Sequence, residues 1–179
     1  MAKKILILSG SPRQGGNSDL LCEQFARGAA EAGNEVEKIS LRDTRINYCV
    51  ACDACQKNGG TCVHRDDMAG VLDRLIAADV IVMATPVYFY TMDAQMKTLI
   101  DRTYARYTEI SGKEFYFVMT AAVGNKSLLE RTLEGFRGFT SCLEGAREKG
   151  VVYGTGAWQA GDIKKSPAMA QAYGLGKNA

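Results

Sequence analysis

The sequence predicts an α/β protein with a three-layer, doubly wound sheet, and three observations support this fold class. Short apolar runs typical of buried parallel strands alternate five times with segments of helical periodicity. The segments between the runs are long enough for the helical crossovers that parallel strands require. The chain has 179 residues, 46% of them hydrophobic, which are the size and composition of one globular domain. We therefore expect residues 1–179 to form a single domain.

Each predicted element follows from its own pattern. The five strands are expected at Lys4–Leu8, Val36–Leu41, Val80–Thr85, where Pro86 ends the strand, Glu114–Ala122, and from Val151 after Gly150. The second strand alternates apolar and polar residues, so it is expected at an edge of the sheet. Apolar residues at helical spacing predict helices from about Ser18, Met68, Met92 and Leu128, the last to about Arg147, and a final helix over Ser166–Leu175.

The expected strand order is the flavodoxin-like 2-1-3-4-5, which places a ligand beyond the carboxyl ends of strands one and three. Residues 42–67, after the second strand, show no period and carry four cysteines. We expect this segment to be a cysteine-rich insertion, since a loop of that length in a compact domain usually has a function.

Composition excludes several classes of function. Lys and Arg total 22 against 20 Asp and Glu, without a basic arm, so a nucleic-acid partner has little electrostatic support. No apolar run approaches the roughly 20 residues that cross a membrane, and no signal-peptide core is evident, so we expect a cytoplasmic protein without a membrane partner. With one histidine in the chain, the sequence offers no convincing acid–base catalytic set.

The loop after the first strand, residues 10–18 with the sequence GSPRQGGNS, has the character of an anion site. Free backbone N–H groups at the start of the following helix attract phosphate, and serine hydroxyls and Arg13 add donors. The pattern differs from dinucleotide and triphosphate loops, which favours a mononucleotide phosphate. The alternative is a polar turn in which Asn17 or Ser18 caps the helix.

The pattern Gly-Ser-x-Arg-x-x-x-Asn-Ser resembles the phosphate loop of the flavodoxin-fold NAD(P)H-dependent FMN reductases. This resemblance implies that the phosphate of FMN is held by Ser11, Arg13, Asn17 and Ser18, with Ser9 as a further cofactor-binding residue. The segment TPVYFYTMDAQMKTLIDR, residues 85–102, resembles the second flavin loop of the same family and the helix after it.

A flat ring system suits the loops after the third and fourth strands, because aromatic walls and small residues leave room for it. The resemblance implies that Pro86, Val87, Tyr88 and Phe89 are neighbours of the isoalloxazine ring; Ala121 and Gly124 are candidate neighbours from the next loop. Any single aromatic residue here has an alternative role in the core or in a seam between subunits.

The four clustered cysteines, Cys49, Cys52, Cys55 and Cys62, have a spacing that can converge on one soft-metal site. The spacing resembles that of the iron–sulfur flavoproteins, a branch of the same fold group, which implies a [4Fe–4S] cluster. The alternatives are free thiols, an adventitious metal, or disulfides formed during purification.

The residues around this cluster have simpler expected roles. Asp66 and Asp67 are expected to cap the next helix, and His64 to be solvated in the loop. Cys22 and Cys142 are expected to be small buried side chains.

The resemblance implies an FMN-dependent oxidoreductase in which NAD(P)H gives hydride to flavin N5, and electrons pass to a quinone, free flavin, another small oxidant or the cluster. Two alternatives remain open: an electron carrier reduced by ferredoxin, and a non-enzymatic FMN-binding redox sensor. The family also implies a homodimer or homotetramer. The acceptor and the preference for NADH or NADPH are not specified by the sequence.

Overall fold

A computed structural model describes all residues 1–179 and shows five parallel strands in the order β2-β1-β3-β5-β6. The strands are β1 (Lys4–Ser9), β2 (Glu35–Ser40), β3 (Val80–Tyr88), the antiparallel two-residue β4 (Thr91–Met92), β5 (Glu114–Thr120) and β6 (Arg147–Gly154). The helices are α1 (Asn17–Glu31), α2 (Ala54–Lys57), α3 (Met68–Ala77), α4 (Ala94–Arg102), α5 (Glu130–Thr140) and α6 (Ala168–Lys177). Because β4 lies outside the parallel sheet, the predicted flavodoxin-like order is confirmed.

The sheet is covered on both faces, which explains why its central strands are continuous apolar runs. One face packs against α3, α4 and α5 in a core of 22 buried residues, and the other packs against α1 and α6 in a core of 16. Successive strand residues alternate between these cores, so Leu6 and Leu8 face the first and Ile5 and Ile7 the second. Strand β2 lies at the edge and is only partly buried, as its alternation predicted.

The prediction that the third strand ends before Pro86 was wrong. Strand β3 continues to Tyr88 and pairs with β4, with Val87 opposite Met92 and Tyr88 opposite Thr91. The hairpin turn consists of Phe89 and Tyr90, with φ of 48° and 64°. A type I′ hairpin turn places both central residues in left-handed conformations, which aromatic residues rarely adopt, so no local pattern indicated this turn.

The end predicted for the helix that starts near Leu128, which corresponds to α5, was also wrong. Helix α5 ends at Thr140 rather than near Arg147, and β6 begins at Arg147, where it pairs with Glu114. A turn through Gly145, whose φ is +67°, separates the two elements. The glycine that actually reverses the chain therefore precedes Gly150, which lies inside the strand.

Residues 44–67 contain one short helix, α2, in an otherwise irregular segment, as expected for an insertion. None of the helices combines the length and the apolar character that a membrane crossing requires.

Candidate functional site

A cleft of about 240 Å³ lies at the carboxyl edge of the sheet, where β1 passes into α1. It brings together eight of the residues predicted to bind a cofactor: Ser11, Arg13, Asn17, Ser18, Pro86, Val87, Tyr88 and Ala121. Five residues outside that predicted set complete its lining: Gly16, Thr120, Ala122, Ala157 and Trp158. Two larger cavities, of about 570 and 740 Å³, border the cysteine insertion and do not include the start of α1.

Unused hydrogen-bond donors converge at the start of α1. The backbone N–H groups of Asn17 and Ser18 have no acceptor, as is usual for the first turn of a helix. The Ser18 hydroxyl is buried without any hydrogen-bond partner, although it belongs to a residue that lines the cleft. Because the helix dipole is positive at this end, these donors suit a phosphate group.

Gly16 allows the loop before α1 to fold tightly. The Ser11 hydroxyl donates to the Arg13 carbonyl at 2.9 Å and lies directly against the α-carbon of Gly16. A Cβ atom on Gly16 would lie 2.5 Å from Ser11 Oγ, which is closer than atoms can approach. A larger residue at this position would therefore have to displace the Ser11 hydroxyl and press on the Arg13 carbonyl, 3.1 Å away.

Asp19 stabilises the loop by accepting three hydrogen bonds. Its Oδ2 accepts a hydrogen bond from Gly15 N at 3.1 Å, while Oδ1 accepts from Ser9 Oγ and Lys38 Nζ, both at 3.0 Å. Burial opposes the charge on Asp19, but Lys38, Gly15 and Ser9 outweigh it and lower the pKa of the carboxyl. The predicted cofactor residue Ser9 is thus buried beneath the loop and does not line the cleft.

The side chain of Asn17 is fully used within the protein. Its Nδ2 donates to the carbonyls of Ala157 (3.2 Å) and Gln159 (2.9 Å). Its Oδ1 accepts from the N–H groups of Gly161 (3.0 Å) and Ile163 (3.3 Å). The amide therefore fastens the loop after β6 to the phosphate loop, and only the backbone N–H of Asn17 remains free for an anion.

Trp158, on the loop held by Asn17, is a cleft residue that sequence reasoning missed. It is the only tryptophan in the chain, and its side chain is 72% exposed. Asp162 Oδ2 accepts hydrogen bonds from the N–H groups of Trp158 and Gln159, so the backbone is held while the indole is left open. A large exposed aromatic surface on a restrained backbone is typical of a binding surface.

The end of β3 forms the side of the cleft where the flavin ring is expected. Pro86, Val87 and Tyr88 line it, but Phe89 at the hairpin tip is 99% exposed and lies outside, as does Gly124. The turn stores backbone strain of about 1–3 kcal/mol for each non-glycine residue in the left-handed region. Such strain often marks a functional loop.

Asp93 is a buried acid next to both cofactor loops, and sequence reasoning missed it as well. Its Oδ1 accepts from Thr85 Oγ1 at 3.0 Å and from Met96 N at 3.3 Å, which caps α4, while Oδ2 has no partner. Burial raises the pKa of Asp93 to about 6. A Cβ on Gly10 would lie 2.6 Å from the carboxylate, so the first loop requires glycine there.

The four clustered cysteines line one small cavity of about 30 Å³. Between them, Ala51 and Asp53 have φ of 52° and 54°, an unfavourable conformation for both residues. No three His, Cys, Asp or Glu side chains are arranged to hold a single metal ion. Four thiols are, however, the number and type of ligands that a [4Fe–4S] cluster uses, so the donor set fits that group in its chemistry.

The structure corrects two expectations about neighbouring residues. Cys142 is exposed rather than buried, because α5 ends before it. His64 is not freely solvated, since its Nε2 is buried without a partner and the residue borders the thiol cavity.

Two other expectations concern buried groups. Cys22 is buried as predicted, and burial raises the pKa of its thiol to about 12. Asp66 accepts a hydrogen bond from Met68 N at the start of α3, but it also forms a buried ion pair with Arg102.

Sequence comparison finds similar proteins among flavoproteins and flavin-dependent oxidoreductases. The chain is 42% identical to an iron–sulfur flavoprotein of Methanocaldococcus jannaschii, over 56% of this chain and 51% of that protein. It is 28% identical to an FMN-dependent NADH:quinone oxidoreductase of Pseudomonas fluorescens, over 68% of this chain and 71% of that protein. The chain spans about half the length of the curated iron–sulfur flavoproteins that it matches.

Solved structures show the same fold at low sequence identity. An azoreductase from Bacillus anthracis superposes over 100% of both chains with a TM-score of 0.77 and 17% identity. Residues 3–142 match the family model of NADPH-dependent FMN reductases, and this match covers more than half of the chain. The protein therefore belongs to the NADPH-dependent FMN reductase family.

Proposed function

We propose that this protein is an FMN-dependent oxidoreductase that takes electrons from NAD(P)H and passes them to a small acceptor such as a quinone or a flavin. The observation that carries the proposal is the set of unused donors at the start of α1. The Ser18 hydroxyl and the N–H groups of Asn17 and Ser18 have no partner within the protein. A buried donor without a partner is costly, and a bound phosphate would satisfy it.

The chain's own residues would bind and orient the cofactor. When bound, FMN supplies the electron-transfer chemistry, and the protein contributes position and electrostatics. The phosphate would lie between Ser11, Arg13 and Ser18, and the ring would lie towards Pro86, Val87 and Tyr88. No acid–base residue is needed in this assignment, because the cofactor itself carries the redox chemistry.

The size of the cleft supports assembly into a homodimer or homotetramer. Its volume of about 240 Å³ is below the roughly 300–1,000 Å³ typical of ligand pockets. The ring of a bound flavin would therefore remain partly open on the side of Tyr88 and Trp158. A second copy of the chain would cover that side.

A second candidate function is an iron–sulfur flavoprotein that carries electrons from ferredoxin. The observation that favours it is that the four cysteines line one cavity, which supports Cys49, Cys52, Cys55 and Cys62 as [4Fe–4S] ligands. Such a cluster would be held in the reducing cytoplasm that we expect for this chain. Similarity to iron–sulfur flavoproteins adds support, although it covers about half of each protein.

Anaerobic purification followed by flavin, iron and sulfide analysis separates these functions. The oxidoreductase proposal predicts bound FMN whose visible absorbance is bleached rapidly by NADH or NADPH. Bleaching by reduced ferredoxin alone would favour the electron carrier. Bound FMN that neither donor reduces would favour a redox sensor, and a protein that binds no FMN would contradict all three.

A further inference from the structure

A buried ion pair joins the cysteine insertion to α4. The side chains of Arg102 and Asp66 are 2% and 1% exposed. Arg102 Nη1 donates to Asp66 Oδ2 at 2.7 Å, and Nη2 donates to Oδ1 at 3.1 Å, so the contact is bidentate. Arg102 is the last residue of α4, the helix that follows the hairpin on the ring side of the cleft.

The pair holds the start of the insertion as well as its end. Asn47 donates to Asp66 Oδ2 through its backbone N–H at 2.9 Å and through Nδ2 at 3.1 Å. Arg102 Nη1 also donates to the Asn47 carbonyl at 2.6 Å. Because Asn47 precedes Cys49 by two residues and Asp66 follows Cys62 by four, one buried contact closes the segment that contains all four thiols.

The guanidinium also belongs to a residue that shares a cavity with one of the cysteines. Arg102 and Cys62 line the same cavity of about 570 Å³. The guanidinium charge and the Cys62 thiol therefore border the same cavity.

Stability alone does not account for such a pair. A well-packed apolar replacement of a buried ion pair is often as stable as the pair itself, because desolvation offsets the attraction between the charges. The specific contribution of this pair is geometric, since Arg102 and Asp66 together bind three polar groups of Asn47.

We propose that Arg102 and Asp66 are a positioning pair for the proposed metal centre: they close the cysteine segment and place a positive charge beside Cys62. This inference rests on the proposed cluster site. Groups that orient metal ligands typically change metal affinity by 10- to 100-fold, and charge near a cluster sets its potential. A positive charge near Cys62 would favour the reduced, more negative state of the cluster.

The test uses the whole 179-residue chain and three variants. Arg102→Met with Asp66→Leu removes the pair without leaving an unpaired buried charge, so we expect the protein to fold. Arg102→Lys keeps the charge but loses the planar fork that reaches both Asp66 oxygens and the Asn47 carbonyl. Arg137→Met is the control, because Arg137 also forms ion pairs, with Glu134 and Glu148, but lies on α5 away from the insertion.

Three readouts are needed: amide hydrogen exchange, iron binding and the midpoint potential. Amide hydrogen exchange on the metal-free protein should show about 10-fold faster exchange at Asn47 and over residues 48–62 in the double variant, and little change in Arg137→Met. After anaerobic reconstitution with iron and sulfide, the double variant should bind iron with roughly 10-fold lower affinity than the wild type. Arg102→Lys should keep a midpoint potential near that of the wild type while losing the protection of Asn47.

The outcomes distinguish this inference from the proposed function. If the wild type binds no iron after reconstitution, the cluster proposal fails, and the charge at Cys62 has no metal centre to act on. Unchanged exchange in the double variant would overturn the positioning role whether or not iron is bound. Equal iron loss in Arg137→Met would also overturn it, since that variant leaves the insertion untouched.

Discussion

Replacing Ser18 with alanine should change stability and cofactor binding in opposite directions. The Ser18 hydroxyl is buried without a partner in the protein, so its removal relieves a cost in the free state. If the hydroxyl donates to a bound phosphate, the same change removes a contact from the complex. A residue with only a structural role would not show both effects.

The magnitudes follow from the environment of the hydroxyl. An unpartnered buried polar group costs about 1–3 kcal/mol, so Ser18→Ala should raise the unfolding free energy of the FMN-free protein by about 1 kcal/mol. For a domain of this length, that gain raises Tm by about 2–4 °C. A hydrogen bond to a charged group contributes about 1.5–3 kcal/mol, so the Kd for FMN should rise roughly 10- to 100-fold.

Thr132→Val is the matched control. The Thr132 hydroxyl is also buried without a partner, but it lies on α5 and does not line the cleft. The control should gain a similar stability in urea denaturation and should leave FMN affinity unchanged. Affinity can be followed by the emission of Trp158, because it is the only tryptophan and lines the cleft.

Two results would refute the reasoning. If Ser18→Ala binds FMN as tightly as the wild type, the phosphate does not reach this hydroxyl. If the variant loses stability in the absence of FMN, the hydroxyl has a structural partner and is not reserved for a ligand.

Three further predictions use the same molecule. Gly16→Ala should weaken FMN binding at least 10-fold in the same titration, because the new Cβ would lie 2.5 Å from Ser11 Oγ and disturb the loop; unchanged affinity would count against it. The pKa of Asp93 is raised from 3.8 to about 6 by burial, so its contribution to stability is complete below about pH 4 and is lost as pH rises through 6. Urea denaturation should therefore show a loss of about 3 kcal/mol over that window, which Asp93→Asn should lack; the same fall in both proteins would contradict the assignment. Cys52→Ser should abolish iron loading while FMN still binds, as measured by iron and flavin content, and iron retention equal to the wild type would exclude Cys52 as a ligand.

The sequence predicts the sheet and much of the cleft because both depend on local patterns. The continuous apolar run of β1 marks a buried parallel strand, and the glycines and serines after it mark an anion loop. The cleft residues Ser11, Arg13 and Ser18 lie within eight positions of one another, so one motif contains them all.

The parts that sequence reasoning missed depend on contacts between distant residues. The Asn17 amide bonds to backbone groups 140 to 146 positions away, which no local pattern indicates. Arg102 meets Asp66 across 36 positions, and Asp93 meets the α-carbon of Gly10 across the sheet edge. The left-handed conformation of Phe89 could not be predicted either, because the pairing of β3 with β4 imposes it on an exposed aromatic residue that rarely adopts it.

A crystal structure of the protein grown with FMN tests the central claim most directly. The account predicts the phosphate within hydrogen-bonding distance of Ser18 Oγ and the backbone N–H groups of Asn17 and Ser18, with the ring towards Tyr88. Flavin bound in one of the larger cavities beside the cysteine insertion, with the start of α1 occupied only by water, would contradict it.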